Sequence, residues 1–217
     1  VLILAFTVGY LVLFVVHAAT LRALYAVEAF AVGEHRLFSA HMLLWQLAGT
    51  LHANVFALFP TFLRGSLLTS WYMRTLGAEV GRDVFYDSNP PAEMPGLKIG
   101  DGAAVQQGAM VLGHVVDHGV MMHMPISIGE GAVVGAFANV QPGVRLGTRA
   151  TLDALTLAMK YEEFPDGTSW IGSPAVRVEV GTCTLAPAET SIDVRDANGD
   201  EEEKEPLLLP QTPENST

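Results

Sequence analysis

Residues 128–152 read IGEGAVVGAFANVQPGVRLGTRATL, and an aliphatic residue returns at every sixth place: Ile128, Val134, Val140, Leu146 and Leu152. The same spacing joins Ile99, Val105 and Val111 upstream. Small or turn-forming residues follow the anchors at Gly100, Gly129, Gly135, Gly147 and Asp153. A second small or aliphatic position precedes the next anchor by two, at Ala103, Ala109, Ala132, Ala138, Val144 and Ala150. A period of six fits neither an amphipathic helix nor a lone alternating strand. Short straight strands joined by tight corners satisfy it, with three hexapeptides closing one triangular coil and the coils stacking in parallel. The anchor points into the prism, and the glycine after it lets the backbone turn without a Cβ clash. The fold class predicted is mainly β: a left-handed parallel β-helix, preceded by one or two N-terminal membrane helices.

Outward from this core the pattern breaks twice. Val111 and Ile128 stand seventeen apart where eighteen would keep the period, which predicts a coil that is short or carries a loop. The break, LGHVVDHGVMMHMPIS at 112–127, holds three of the chain's seven histidines. Loops that interrupt a rigid scaffold are where such folds keep chemistry. Upstream, Val80-Gly81 followed by Val84 reads as the first hexapeptide, and the Pro-rich NPPAEMPG at 89–96 reads as a surface loop. Beyond Leu152 the period fades into KYEEFPD and GTSWIGSPA at 160–175.

Half of the 217 residues are hydrophobic, and the mean hydropathy is +0.32, which points to membrane segments. Residues 1–21 are almost uninterrupted apolar sequence, long enough to span a bilayer as a helix, with Arg22 at the interface. A second stretch, 42–63, is diluted by Gln46, His52, Asn54 and Pro60, and either spans or lies in the interface. His17, His52 and Asn54 either form an intramembrane polar site or bond a neighbouring helix. Trp45 and Trp71 mark the boundary, and Arg64, Arg74 and Arg82 place the remainder of the chain on the cytosolic side. Three regions result: membrane-associated helices at 1–70, the β-helix at 71–178 and an acidic disordered tail at 179–217.

The net charge of −11 is concentrated in residues 180–217, where nine Asp or Glu face only Arg195 and Lys204. No basic groove remains, which excludes nucleic acid as a partner. Cys183 is the single cysteine, so neither an intrachain disulfide nor a Cys-based metal site is possible. The start at Val1, without Met and inside an apolar run, predicts a piece of a longer protein. In the tail, Glu203, Leu207 and Leu208 of EKEPLL resemble an acidic dileucine signal of the kind clathrin adaptors read, which implies endosomal or lysosomal sorting in a eukaryote. A solvated acidic tail accounts for the same residues. Met121, Met122 and Met124 read as packing at a subunit interface.

The coils resemble those of the hexapeptide-repeat transferase superfamily, and WIGSPA is similar to its Gly-Asn-Pro-Ala-type closing motif, with Ser173 in place of Asn. The layout over residues 1–178 further resembles the membrane-anchored C-terminal region of nonribosomal-peptide-synthetase-like proteins, through GEHRLFSAHMLLWQL, SWYMRTLGAEVGRDV, GHVVD and EEFPDGTSWIGSPA. The resemblance implies a homotrimer with adenylation and carrier domains upstream. It also implies acyl or aminoacyl transfer from an acyl-CoA or carrier-protein thioester, with no tightly bound cofactor. His114 of Gly113-His114 is then the general base, with Asp117 orienting its ring. The amide near Gly135 holds the thioester oxygen, and Trp170, Gly172 and Pro174 wall the donor pocket. Two other readings stay open. One is a zinc site of His114, His118 and His123, resembling the gamma-class carbonic anhydrases. The other is a non-catalytic trimeric scaffold.

Overall fold

The computed structural model describes residues 2–26, 32–58 and 64–178. The acidic tail, with Cys183 and the sorting residues Glu203, Leu207 and Leu208, lies outside the described residues. The chain opens with α1 (Leu2–Ala26), a short strand β1 (Gly33–Arg36), α2 (Ala40–Leu58) and α3 (Leu67–Thr75). A first coil is formed by β2 (Glu79–Val80) and β3 (Phe85–Tyr86), its third side replaced by the NPPAEMPG segment. The second coil is β4 (Leu97–Ile99), β5 (Ala104–Val105) and β6 (Met110–Val111). A hairpin of β7 (His114–Asp117) and β8 (Val120–His123) then intervenes. The third coil is β9 (Ile126–Ile128), β10 (Val133–Val134) and β11 (Asn139–Val140), and the fourth is β12 (Arg145–Leu146), β13 (Thr151–Leu152) and β14 (Leu157–Ala158). The fifth coil, β15 (Glu163–Phe164) and β16 (Ser169–Ile171), ends in β17 (Val176–Val178), which turns back antiparallel on β16.

Pairing between coils is parallel on all three faces, as the hexapeptide period predicts. Val133 pairs with Thr151, Asn139 with Leu157 and Arg145 with Glu163, a repeat of 18 residues. Across the hairpin the offset is 29, as for Lys98 with Ser127 and Ala104 with Val133, so this coil carries an insertion of eleven residues and is not shortened. Every anchor from Ile99 to Leu152 is buried, and so is every small partner from Ala103 to Ala150. The pattern does not fade where the sequence predicts it should. Ala158 and Phe164 are the next anchors and Thr156 fills the next small position, all buried. The polar neighbours of Phe164 mask a further turn, of which two sides are formed. Upstream, Val84 is buried as expected and Tyr86 supplies the anchor that stacks on Val105.

The corner glycines are sterically enforced. A Cβ on Gly135 would lie 2.6 Å from the Ala154 amide nitrogen of the next coil, and one on Gly100 would lie 2.5 Å from that of Glu130. Coils approach so closely there that no side chain fits.

The helices pack onto the start of the prism in one compact unit, with Leu21 and Ala48 in the same core as the β-helix anchors. A buried hydrogen-bonded chain fastens them. His52 Nε2 donates to the Pro90 carbonyl (3.0 Å), so a neutral His52 accepts from the Tyr72 hydroxyl at Nδ1 (3.0 Å). The same hydroxyl oxygen contacts His17 Nε2 at 3.2 Å. His17 and His52 thus bond neighbouring elements, and the side chain of Asn54 lies outside the described residues. Arg22 donates to the Thr75 carbonyl (2.6 Å) and Tyr25 to that of Ala92 (2.8 Å). Helix α3 is inside out: Thr69, Ser70, Tyr72 and Met73 are buried, whereas Leu67, Leu68 and Trp71 are exposed. Among the described side chains no helix is long and apolar enough to cross a membrane. The side chains of 1–7, 10, 11 and 54–63 lie outside them.

Candidate active site at the foot of the hairpin

The inserted hairpin closes through His118 and Gly119, both in the left-handed region (φ 47° and 79°), the geometry of a two-residue hairpin turn. His114 and Asp117 occupy opposite ends of β7, and residues three apart on a strand face opposite ways. The expected pairing of the two is therefore not formed. At the tip, Asp117 Oδ1 lies 2.6 Å from His118 Nδ1, and Oδ2 accepts from Lys160 Nζ at 2.9 Å. The Lys160 hydrogen bond, helped by the charges of both neighbours, holds the Asp117 carboxyl below its ordinary value.

At the foot, His114 meets Glu93 instead. Glu93 Oε1 lies 2.8 Å from His114 Nδ1, a close contact in which the ring N–H is not aligned for a regular hydrogen bond. The same oxygen accepts from Trp45 Nε1 at 2.9 Å, and the Trp45 ring stands edge-on to His114 with centroids 4.6 Å apart. Glu93 is only 8% exposed. Burial pushes its carboxyl up, but the contacts with His114 and Trp45 more than reverse this, so it stands below the usual carboxylate value. Gly113 leaves the room: a Cβ there would come within 2.5 Å of Glu93 Cβ. The cavity beside Glu93, bounded by Gly113, Val111 and Met124, is about 10 Å³, the space of one water and far below that of a thioester.

The remaining predicted residues are placed elsewhere. His118 is exposed at the tip, so His114, His118 and His123 do not converge. His123 is buried beside His35 and His41, and burial lowers its pKa to about 4. The Gly135 amide donates to the Leu152 carbonyl at 2.8 Å and is thereby committed to the stack. Trp170 is packed edge-on against Phe164 (5.0 Å) on the fifth coil, while the hairpin leaves the second. Gly172 (φ 93°) accepts from the Leu157 amide at 2.9 Å, and Pro174 is exposed in the turn that closes that coil. Glu93 and Trp45 were not legible as site residues: one sits in a loop of prolines, the other in an apolar helix.

No protein-family model matches the chain. Over 118 residues, 54% of its length, it is 31% identical to the delta-poly-L-ornithine synthetase of Acinetobacter baumannii, and it spans only 9% of that protein. A maltose O-acetyltransferase from Clostridium difficile superposes with a TM-score of 0.50 at 13% identity, over 70% of this chain and 94% of that one. A hexapeptide-repeat-containing acetyltransferase from Vibrio cholerae gives 0.47 at 17% identity, over 68% and 94%. At such identities the likeness is one of architecture, and the chain has the hexapeptide-repeat β-helix fold.

Proposed function

We propose that this chain is the transferase portion of a larger, membrane-bound synthetase-like protein. It moves an acyl or aminoacyl group from a thioester, acyl-CoA or carrier-bound, to an amine or hydroxyl. The observation that carries this reading is the buried Glu93 carboxylate 2.8 Å from His114 Nδ1. Glu93 fixes the ring and stabilises the imidazolium, leaving Nε2 to take the acceptor's proton as the acceptor attacks the thioester carbonyl. The tetrahedral intermediate then expels the thiolate, which takes the proton back from His114. Glu93 replaces Asp117 in this scheme, and the Gly135 amide has no part in it.

The space beside Glu93 is too small for the donor, so the donor site is completed by a second copy in a homotrimer, with Trp170, Gly172 and Pro174 on its wall. The prism edge offers the apolar contact this needs. Phe137 and Leu155 are large, more than half exposed and in the left-handed region, a strained place for such side chains in a lone chain. Membrane attachment is supported by Val12, Val15 and Val16 of α1, Leu43 of α2, and Leu67, Leu68 and Trp71 of α3, all exposed. The β-helix and tail lie on the cytosolic side, with adenylation and carrier domains upstream.

The test uses the detergent-solubilised protein with a panel of acyl thioesters and amine acceptors, following thiol release and product mass. His114→Ala lowers kcat/KM by roughly 10²–10⁴-fold. Glu93→Gln lowers it less, and His118→Ala leaves it unchanged. Equal rates for wild type and His114→Ala leave the scaffold reading, and a loss confined to His118→Ala moves the base to the hairpin tip.

A further inference from the structure

Three histidines that no part of the transfer scheme uses come together where the N-terminal segment meets the hairpin. β1 pairs antiparallel with β8, with Gly33 opposite His123 and His35 opposite Met121. His35 and His123 are thus diagonal neighbours on one face of the sheet. After β1 the chain turns through Leu37–Ser39, and the Ser39 hydroxyl accepts from the Met42 amide at 3.3 Å to start α2. The turn returns His41, the second residue of α2, over His35: their rings stack at 3.4 Å, and each lies 5.4 Å from the His123 ring.

We propose that His35, His41 and His123 bind one divalent ion of the zinc class, which fastens the N-terminal strand to the hairpin that carries His114. One ligand atom from each lies within 4.8 Å of the other two. A tetrahedral zinc–imidazole site, with bonds of about 2.0–2.1 Å, sets its ligand atoms about 3.4 Å apart. Modest ring rotations bridge that gap. Three neutral imidazoles with no thiolate favour zinc, with copper and nickel as competitors. The fourth position is left to water or an incoming ligand.

Two further features agree with a cation there. The buried Glu93 carboxylate acts electrostatically on His123 and would offset part of the ion's charge. Trp45 and His114 flank His123, with ring centroids at 6.2 and 6.3 Å, and cover the ion from one side. The ion has a mechanical task as well. β1 joins the hairpin through four paired residues at the edge of a three-stranded sheet. A metal bond from each of β1, α2 and β8 locks that corner and holds the foot of the hairpin steady. The site differs from the expected one, sharing only His123 with it, and does not depend on the transfer chemistry.

Metal content of the full chain, purified without chelator and dialysed against Zn²⁺ and then metal-free buffer, is the direct test. About one zinc per chain is expected, together with the visible bands of a tetrahedral site after Co²⁺ replacement. His41→Ala and His35→Ala lose the metal, while His118→Ala and His114→Gln retain it. Should the alanine variants fail to fold, the wild-type melt decides: added Zn²⁺ raises Tm and EDTA reverses it. Absence of stoichiometric metal, its retention in folded His41→Ala, or a melt indifferent to Zn²⁺ each overturns the site.

Discussion

Lys160 Nζ, at the corner after the fourth coil, lies 2.9 Å from Asp117 Oδ2 at the tip of a hairpin that leaves the prism at the second. Tyr161 adds to the same attachment, its hydroxyl contacting Met122 Sδ at 3.7 Å. The insertion is thus laid along the prism and tied at its far end. Lys160→Ala unties it, and hydrogen exchange at 115–122 accelerates while the β-helix amides do not change.

The same tie sets a pH window. Lys160 holds the Asp117 carboxyl below its ordinary value, and Asp117 holds the Lys160 ammonium above its own. The contribution of the carboxylate is therefore complete above about pH 4 and disappears as acid passes through its depressed pKa. That of the ammonium is complete below about pH 10.4 and disappears as base passes through the raised one. Protection factors at 115–122, with the intrinsic pH dependence of amide exchange divided out, are expected to be highest between these limits and to lose this pH window in Asp117→Asn.

Two glycines separate steric from conformational demand. Gly135 has an ordinary backbone, but an added Cβ would meet three atoms of the next coil within 2.8 Å, so Gly135→Ala forces coils apart and costs about 3 kcal/mol. Gly102 has φ 65° with nothing within 4 Å, so Gly102→Ala carries conformational strain alone, about 1–2 kcal/mol. Urea midpoints of the two variants, compared at equal slope, test the order.

If the prism edge is the contact between copies, a charge on it is intolerable there and harmless in a single chain. Phe137→Asp with Leu155→Asp is expected to reduce the molar mass in light scattering to that of one chain without loss of far-ultraviolet signal. A mass unchanged from wild type removes this edge from the interface.

Leu67, Leu68 and Trp71 point outward from a helix that buries threonine and serine, which suits an interfacial position in lipid. Brominated lipids in vesicles are expected to quench Trp71 in a variant with Trp45→Phe and Trp170→Phe, and Leu67→Asp with Leu68→Asp to abolish the quenching.

The fold was legible because the inward position recurs strictly and only aliphatic side chains fill it. It stopped being legible at Thr156 and Ala158, where a polar and a very small residue serve the same two positions, and resumed silently at Phe164. The insertion was visible as a phase error but not as a hairpin, since Val115, Val116, Val120 and Met121 carry no turn signal beyond His118-Gly119. Partnerships across the site were hidden for a different reason. Sequence proximity favoured Asp117 for His114, whereas strand alternation turned it away and the first coil's missing third side brought Glu93 from twenty-one residues upstream. His35 and His41 lay in a segment whose polarity reads as a simple break, and only the pairing of β1 with β8 reveals what they face.

The coil that bears the hairpin resumes after its eleven extra residues with Ile126–Ile128 seated on Leu97–Ile99 as squarely as on the coil beyond. The excursion leaves no trace in the stacking on either side. Reactive groups on it are thus free to be gained, exchanged or discarded while the scaffold's own stability stays put, which makes the hairpin a graft and the prism its rootstock.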